Sequence, residues 1–456
     1  MNEVKRPLAS RIDTQGIRQK IGRYQIVAEL GEGATSRVFL GEDPFARRKV
    51  AIKVIFPEAL KGTDDGALYK NMFLNEASLA GKLVHPHIAQ IYDAVVEQQF
   101  SYIVMEYVEG GTLEKFCKPE SLLEPAEVAE IVFKCVRALA FAHGKGLTHR
   151  DIKPGNILHS GKADIKLADF GLAIDRSSER TVVAGAGSPA YMAPELIAGL
   201  AEASIRTDIY ALGVVMYHLL AGRLPFLAPN TASMTYQIVH TDPEPPSKHR
   251  PGISPEIDAI VMRAIARDPA SRYQGWDQFG QDLVQTWKQE LQLQEDREAP
   301  DTVRFTAMRG LRFFKDFPEE ELWEVLRISK WAKFPADTVL IKEGDIGDAS
   351  FVIVSGFAEV MRGARRLGVL TVGDCCGEMA YLAKEGSPRS ATVTTTSDCV
   401  LMKVSAADLR AASAYCKVLF DQQFVRVLIE RLDAANRQLE AVEPAPVDLA
   451  PRASSA

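Results

Sequence analysis

The string HRDIKPGN fills residues 149–156, ADFG follows at 168–171, and APE stands at 193–195. Any one of these residues, His149 or Asp169 for instance, is better explained as structure. The ordered set reverses that judgement, because chance assembly in this order is negligible. Upstream, GEGATSRV at 31–38 can turn tightly and expose backbone N–H groups toward phosphate, since Gly31 and Gly33 let anionic oxygens approach closely. By itself such a fragment is more often an ordinary hairpin turn. Fifteen residues after Val38, the strand-like run VAIKVI puts Lys53 on the same face as Ala51 and Ile55. A lysine on a buried face is costly without anions, so Lys53 is expected to meet Glu76 and nucleotide phosphates; the alternative is a solvated edge lysine. Glu76 shares the inward stripe of an expected helix over 71–83 with Phe73, Ala80 and Leu83, a placement that calls for a partner.

Taken together, residues from about Tyr24 to Trp287 resemble the eukaryotic-like protein kinase family from end to end of its signature set. The resemblance implies a bilobal fold, ATP and Mg2+ as cofactors, and protein substrates. Phosphoryl transfer asks for positioning and charge neutralisation more than covalent help, and each motif supplies one part. By similarity, Asp151 orients the acceptor hydroxyl and takes its proton, Lys153 faces the transferring group, and Asn156 and Asp169 hold magnesium. Their oxygens suit a hard cation, and Gly171 gives the backbone freedom to place Asp169. Met105 aligns with the gate to the adenine pocket, and the backbone from Glu106 to Val108 is expected to read the adenine edge. Lys153, and Ser188 where threonine is usual, point to Ser and Thr acceptors. Ser36 replaces the third glycine of the phosphate loop. Ser177, Ser178 and Thr181 lie between Gly171 and Ser188, where added phosphate would be within the resemblance's reach of Arg150, so autophosphorylation on this loop is expected.

A second constellation lies further on. GDCCGEMAYLAKEGSPRSATV, residues 373–393, joins a glycine-bounded strand, a short helix-like piece and a second strand. Without context Glu378 and Arg389 read as surface charges. From about Leu311 to Leu439, however, the chain resembles the cyclic nucleotide-binding domain. That resemblance gives Arg389 the cyclic phosphate, helped by backbone at Ala380 and Ser390, and gives Glu378, beside Gly377, the ribose 2′-hydroxyl. Cys376 stands where an aromatic is frequent, and Ser390 fits both cAMP and cGMP binders. Too little chain follows the terminal helix for a helix-turn-helix module, which disfavours DNA binding.

Between these blocks, residues 288–302 turn Gln-, Glu- and Asp-rich and lose apolar periodicity. The expected organisation is a flexible segment 1–22, a kinase domain 23–287, a linker 288–305, a cyclic nucleotide-binding domain 306–440 and a disordered tail 441–456. The fold class is α+β: an antiparallel sheet and helices in front, then a small β-roll or jelly roll with flanking helices. A helix starting at Pro125 should turn Val128, Ile131, Cys135, Leu139 and Ala142 inward. A helical stretch near 313–329 and a final amphipathic helix over about 417–439 flank the roll.

The composition closes off other classes. A formal net charge of -6 gives no basic field for a nucleic-acid backbone, so nucleic acid is not an expected partner. The apolar run 211–222 falls short of the roughly 20 residues that a membrane span needs and reads as a buried helix. Six cysteines without zinc-type spacing suit a reducing cytoplasm. The leading reading is therefore an ATP- and Mg-dependent Ser/Thr kinase biased by cyclic nucleotide. A kinase with a ligand-free rear interaction module, and a non-catalytic scaffold, are the alternatives.

Overall fold

The computed structural model of the protein describes residues 20–32, 36–55, 73, 78, 82–96, 101–161, 163–170, 174–175, 189–291, 299–382 and 387–440. The chain divides into two compact units, Met1–Thr302 and Val303–Ala456.

The first unit opens with a six-stranded antiparallel sheet in the order β1-β2-β3-β4-β6-β5. Its strands are β1 (Lys20–Ile21), β2 (Tyr24–Glu32), β3 (Ser36–Asp43), β4 (Arg48–Ile55), β5 (Ile91–Val96) and β6 (Ser101–Glu106). Period-two alternation sorts the β4 side chains onto two faces. Val50, Ile52 and Val54 pack with Ile21, Tyr24, Phe39, Tyr102 and Val104 on one face. Ala51 and Ile55 pack with Phe73, Ile103 and Met105 on the other. The sheet starts earlier than the expected flexible segment 1–22 allows. Ile21 is fully buried and pairs with Tyr24 across a turn at Gly22, whose φ of 53° suits a residue without a side chain.

Helices build the rest of this unit. Helix α1 (Pro125–Gly144) carries Pro125 at its first turn, where the missing N–H costs nothing, and buries Val128, Ile131, Cys135, Leu139 and Ala142. Helix α2 (Ile205–Ala221) is opened by a Ser204/Thr207 capping box and closed by Gly222 at φ 70°. It is the apolar run of the sequence, and it is buried within the unit. Helices α3 (Pro255–Ala264) and α4 (Trp276–Leu291) pack beside it, α4 chiefly on α1 and α3 on α2. Two short antiparallel pairs belong to this unit: β7 (Leu147–Thr148) with β10 (Ile174–Asp175), and β8 (Ile157–Gly161) with β9 (Asp164–Leu167).

The second unit holds two four-stranded antiparallel sheets. One runs β11 (Ser329–Phe334), β18 (Cys399–Ser405), β13 (Ala349–Ser355), β16 (Cys375–Cys376). The other runs β12 (Val339–Ile341), β17 (Thr392–Thr395), β14 (Ala358–Arg362), β15 (Arg365–Leu370). Ile341, Ala358, Leu370 and Val393 from the second sheet meet Ala349, Phe351, Ile353, Cys376, Cys399 and Leu401 from the first in one apolar core. The stretch expected to be helical near 313–329 is a 3-10 turn at Arg312–Phe314 followed by α5 (Glu319–Ile328), the break falling at Pro318. The terminal helix α6 spans Ala414–Glu440.

Candidate active site and effector pocket

The catalytic string lies in the loop after β7. Asp151 Oδ2 accepts hydrogen bonds from Lys153 Nζ at 2.7 Å and from Asn156 Nδ2 at 3.0 Å, and Asn156 Nδ2 also reaches the Asp151 carbonyl at 2.8 Å. With its amide nitrogen committed to Asp151, Asn156 keeps Oδ1 for a hard cation. The loop is held from below by Asp208 on α2, whose carboxylate accepts the backbone N–H of His149 at 2.8 Å and of Arg150 at 3.0 Å. Burial pushes the Asp208 carboxyl up, against the pull of the His149 ring and the two N–H donors. Arg150 has a φ of 71°, a conformation that its neighbours must enforce. The His149 ring packs on Phe170 with centroids 4.4 Å apart.

Asp169 follows β9 and also sits at positive φ, 63°. Its Oδ1 receives Lys53 Nζ at 2.8 Å, so residues 116 apart in sequence meet in one ion pair. Burial works against ionisation of Asp169, but Lys53, its hydrogen bond, and the charges of His149 and Lys153 outweigh it and hold the carboxyl below its usual range. The lysine arrives on β4 between Val38 of β3 and Ile103 of β6, both its direct cross-strand neighbours. Gly31 pairs with Val38, and Ala51 with Met105, so Gly31, Val38, Ala51, Lys53 and Met105 lie on adjoining strands. Glu106 ends β6 and Val108 lies just beyond it. The Glu106 carboxylate meets Lys166 at 3.1 Å and accepts the Gln90 N–H at 3.3 Å, while its own backbone N–H donates to the Gln90 carbonyl at 2.8 Å. Gly33, Glu76, Gly171, Ser177, Ser178, Thr181 and Ser188 lie outside the described residues.

Two supports of this site were missed in the sequence. Asp208 stands one turn into an apolar helix, where a buried carboxylate signals a required acceptor. Arg272 is 1% exposed and grips Glu195 of the APE string through two 2.8 Å bonds, its other N–H groups reaching the carbonyls of Ala266, Arg206 and Arg267. Nothing local marks Arg272, since its partner is 77 residues away.

In the second unit, Arg389 is half-buried and donates to the carbonyls of Gly377 at 3.0 Å and Ala349 at 2.7 Å, which aims the guanidinium while leaving three of its five N–H groups. Gly377, at φ 79°, needs to be glycine, since an added Cβ would come within 2.7 Å of the Ala349 carbonyl, and a Cβ at Gly347 would push on the Arg389 guanidinium at 2.7 Å. Glu378 is 3% exposed, its Oε1 accepting Arg431 Nη1 of α6 at 2.7 Å. Among the described residues, its Oε2 is buried with no hydrogen-bond partner. Arg431 also donates to the Cys375 carbonyl. Ala380 lies in the short helix Met379–Leu382, which begins directly after Glu378, and Ser390 is exposed beside Arg389. An orphaned buried carboxylate oxygen beside an aimed guanidinium fits a ligand that brings both a hydroxyl donor and an anion. Arg431 was not foreseen, because its partner lies 53 residues away on another element.

Comparison with known proteins matches a domain family in each unit. Residues 24–284 match the protein kinase domain and residues 331–415 the cyclic nucleotide-binding domain. The chain belongs to the protein kinase family and carries a cyclic nucleotide-binding domain behind it. It is 37% identical over 269 residues to the serine/threonine-protein kinase PknB of Mycobacterium leprae, covering 58% of this chain and 42% of that protein. It is 36% identical over 308 residues to the serine/threonine-protein kinase PrkC of Bacillus subtilis, covering 66% of this chain and 45% of that protein. The chain thus spans less than half the length of these relatives. Among the described residues, no helix is long and apolar enough to cross a membrane.

Proposed function

We propose that the protein is a Ser/Thr protein kinase whose activity is biased by a cyclic nucleotide in its second unit. The observation that carries the catalytic reading is the Lys53–Asp169 ion pair beside the Asp151–Lys153–Asn156 cluster, which gathers two cations, two carboxylates and an amide oxygen around one place. Mg-ATP supplies the transferable phosphoryl group when bound. Lys53, with the backbone of the Gly31 turn, then binds and orients the phosphates, and Asp169 and the Asn156 amide oxygen hold the cation. Asp151 accepts the proton of the acceptor hydroxyl, and Lys153, already 2.7 Å from that carboxylate, offsets charge that develops beside it. Met105, Glu106 and Val108 border the expected adenine edge, and Glu76 is the proposed further partner of Lys53. Acceptors are Ser and Thr, including the protein's own loop residues Ser177, Ser178 and Thr181.

The regulatory reading rests on Glu378. One carboxylate serves both the pocket, through its orphaned Oε2, and the terminal helix, through Arg431. A ribose hydroxyl on Oε2 and a cyclic phosphate on Arg389, with the backbone of Gly377, Ala380 and Ser390, would thereby change the charge that Arg431 meets. Both cAMP and cGMP suit these groups, so the effector is one of the two.

The test is transfer of radiolabelled γ-phosphate to the protein itself and to Ser/Thr peptides, with and without each cyclic nucleotide. Asp151→Asn is expected to lose transfer while keeping ATP binding; equal turnover in this variant overturns the catalytic assignment. Binding of a cyclic nucleotide by calorimetry without any change in rate leaves the kinase standing and removes the regulation, making the rear unit an interaction module. Retained binding in Arg389→Ala removes the pocket assignment.

A further inference from the structure

Helix α6 carries two apolar faces, and the domain core uses one. Cys416, Leu419, Phe420 and Phe424 are buried, with Gln423 beside them. On the opposite side Tyr415, Val418, Val425, Ile429 and Leu432 stand 54%, 47%, 49%, 54% and 60% exposed. Their positions, with Gln422 and Asn436 between, advance by alternating steps of three and four, the heptad seam of a coiled coil. Leu439 continues the register in sequence. Beyond Leu428, among the described residues, Arg431 alone reaches back to the domain, to Glu378 and the Cys375 carbonyl, and residues 429–437 are all exposed. An isolated helical segment this short is marginal in water. An apolar stripe along it needs a partner.

We propose that this stripe is the seam of a parallel two-stranded coiled coil between the α6 helices of two copies of the chain. The helix of 27 residues supplies nearly four heptads, the length at which such a pair becomes stable. Residue types choose the partner number. With Tyr415, Gln422, Ile429 and Asn436 at the first core position and Val418, Val425, Leu432 and Leu439 at the second, the pairing of Ile429 with Leu432 favours two strands. A lone asparagine at the first position, Asn436, meets its own copy only when the helices run parallel and in register. The flanks agree: Asp421 and Arg426, five residues apart, fall where one helix's residue faces the other's in a parallel pair. Arg426 is at present engaged by Asp316 at 2.6 Å and is exposed, so it can exchange one carboxylate for another at little cost. Two polar residues in the seam, Gln422 and Asn436, make the pair a concentration-dependent one.

The test uses the full chain in a sedimentation dilution series. Wild type is expected at twice the chain mass at the upper concentrations and to dissociate on dilution. Ile429→Lys with Leu432→Lys, both remote from the buried face of α6, is expected at the monomer mass throughout, with circular dichroism of the rest of the fold unchanged. Asn436→Cys adds an exposed thiol to a chain whose six native thiols are all buried, and mild oxidation is expected to link two copies through it. A monomeric wild type at every concentration, including one whose stripe is protected within its own chain, overturns the proposal. So does a dimer that survives both lysines, or a dimer in which Asn436→Cys fails to cross-link.

Discussion

A carboxylate without a role of its own in transfer can still set the rate. Asp208 fixes the backbone N–H groups of His149 and Arg150, the two residues immediately before Asp151. Replacing it by asparagine keeps one acceptor and turns a donor toward the other N–H. The expected outcome is a drop in kcat of about a hundredfold, the size of effect that a misplacement of about 1 Å produces, with little change in ATP binding. Steady-state kinetics beside nucleotide titration checks this. Arg272 acts on stability instead. Its Glu195 partner is buried with it, so Arg272→Ala leaves an uncompensated carboxylate, and denaturant unfolding of the kinase unit should show a loss of about 3–5 kcal/mol. Asp151, Asn156, Asp169 and Lys53 stand out in the sequence because motif spacing names them. Asp208, Arg272 and Arg431 stayed hidden because each works through a partner dozens of residues away.

At the level of elements, periodicity was a sound guide to which side chains share a face. The five residues that 3.6-residue spacing turns inward on α1 are all buried, together with seven more on this nearly enclosed helix, and β4, packed on both faces, still sorts its side chains as period two requires. Pairing was not legible. The neighbour of β11 in its sheet is β18, with Ser329 opposite Val404, and no local pattern reports a contact made across that much chain. The short β1 escaped because two residues give no period to read. Closure of α2 is a further case in which geometry decides. Gly222 adopts φ 70°, and a Cβ there would stand 3.0 Å from the Pro119 nitrogen. Gly222→Ala is therefore expected to destabilise the unit by about 1 kcal/mol or more, seen as a lower melting temperature without loss of the active-site contacts.

For the whole molecule, two histidines held neutral contribute to the acid response. Burial lowers the His85 pKa to about 3, with the charges of Arg137 and Lys166 adding to it. His87 is lowered well below its ordinary value for the same first reason. The unfolded chain binds protons at these rings near pH 6.5 while the folded chain refuses them. Their stability is therefore complete above pH 6.5 and is lost as pH falls toward 3, at about 1.4 kcal/mol per unit per ring at most. His85→Asn retains an acceptor for the His87 N–H, which His85 Nδ1 now receives at 3.1 Å, and cannot titrate. Melting temperatures of this variant across pH 4–7 should fall less steeply than those of wild type; parallel curves would remove His85 from the account.

Glu378 Oε2 sits in the rear unit without a donor and without water access. The fold thus already bears the dehydration penalty of this oxygen, about 1–3 kcal/mol. On the proposed cyclic nucleotide reading, a ribose hydroxyl would meet an acceptor already desolvated at the folding step, and a deoxy analogue would forfeit that advance even if it filled the same volume.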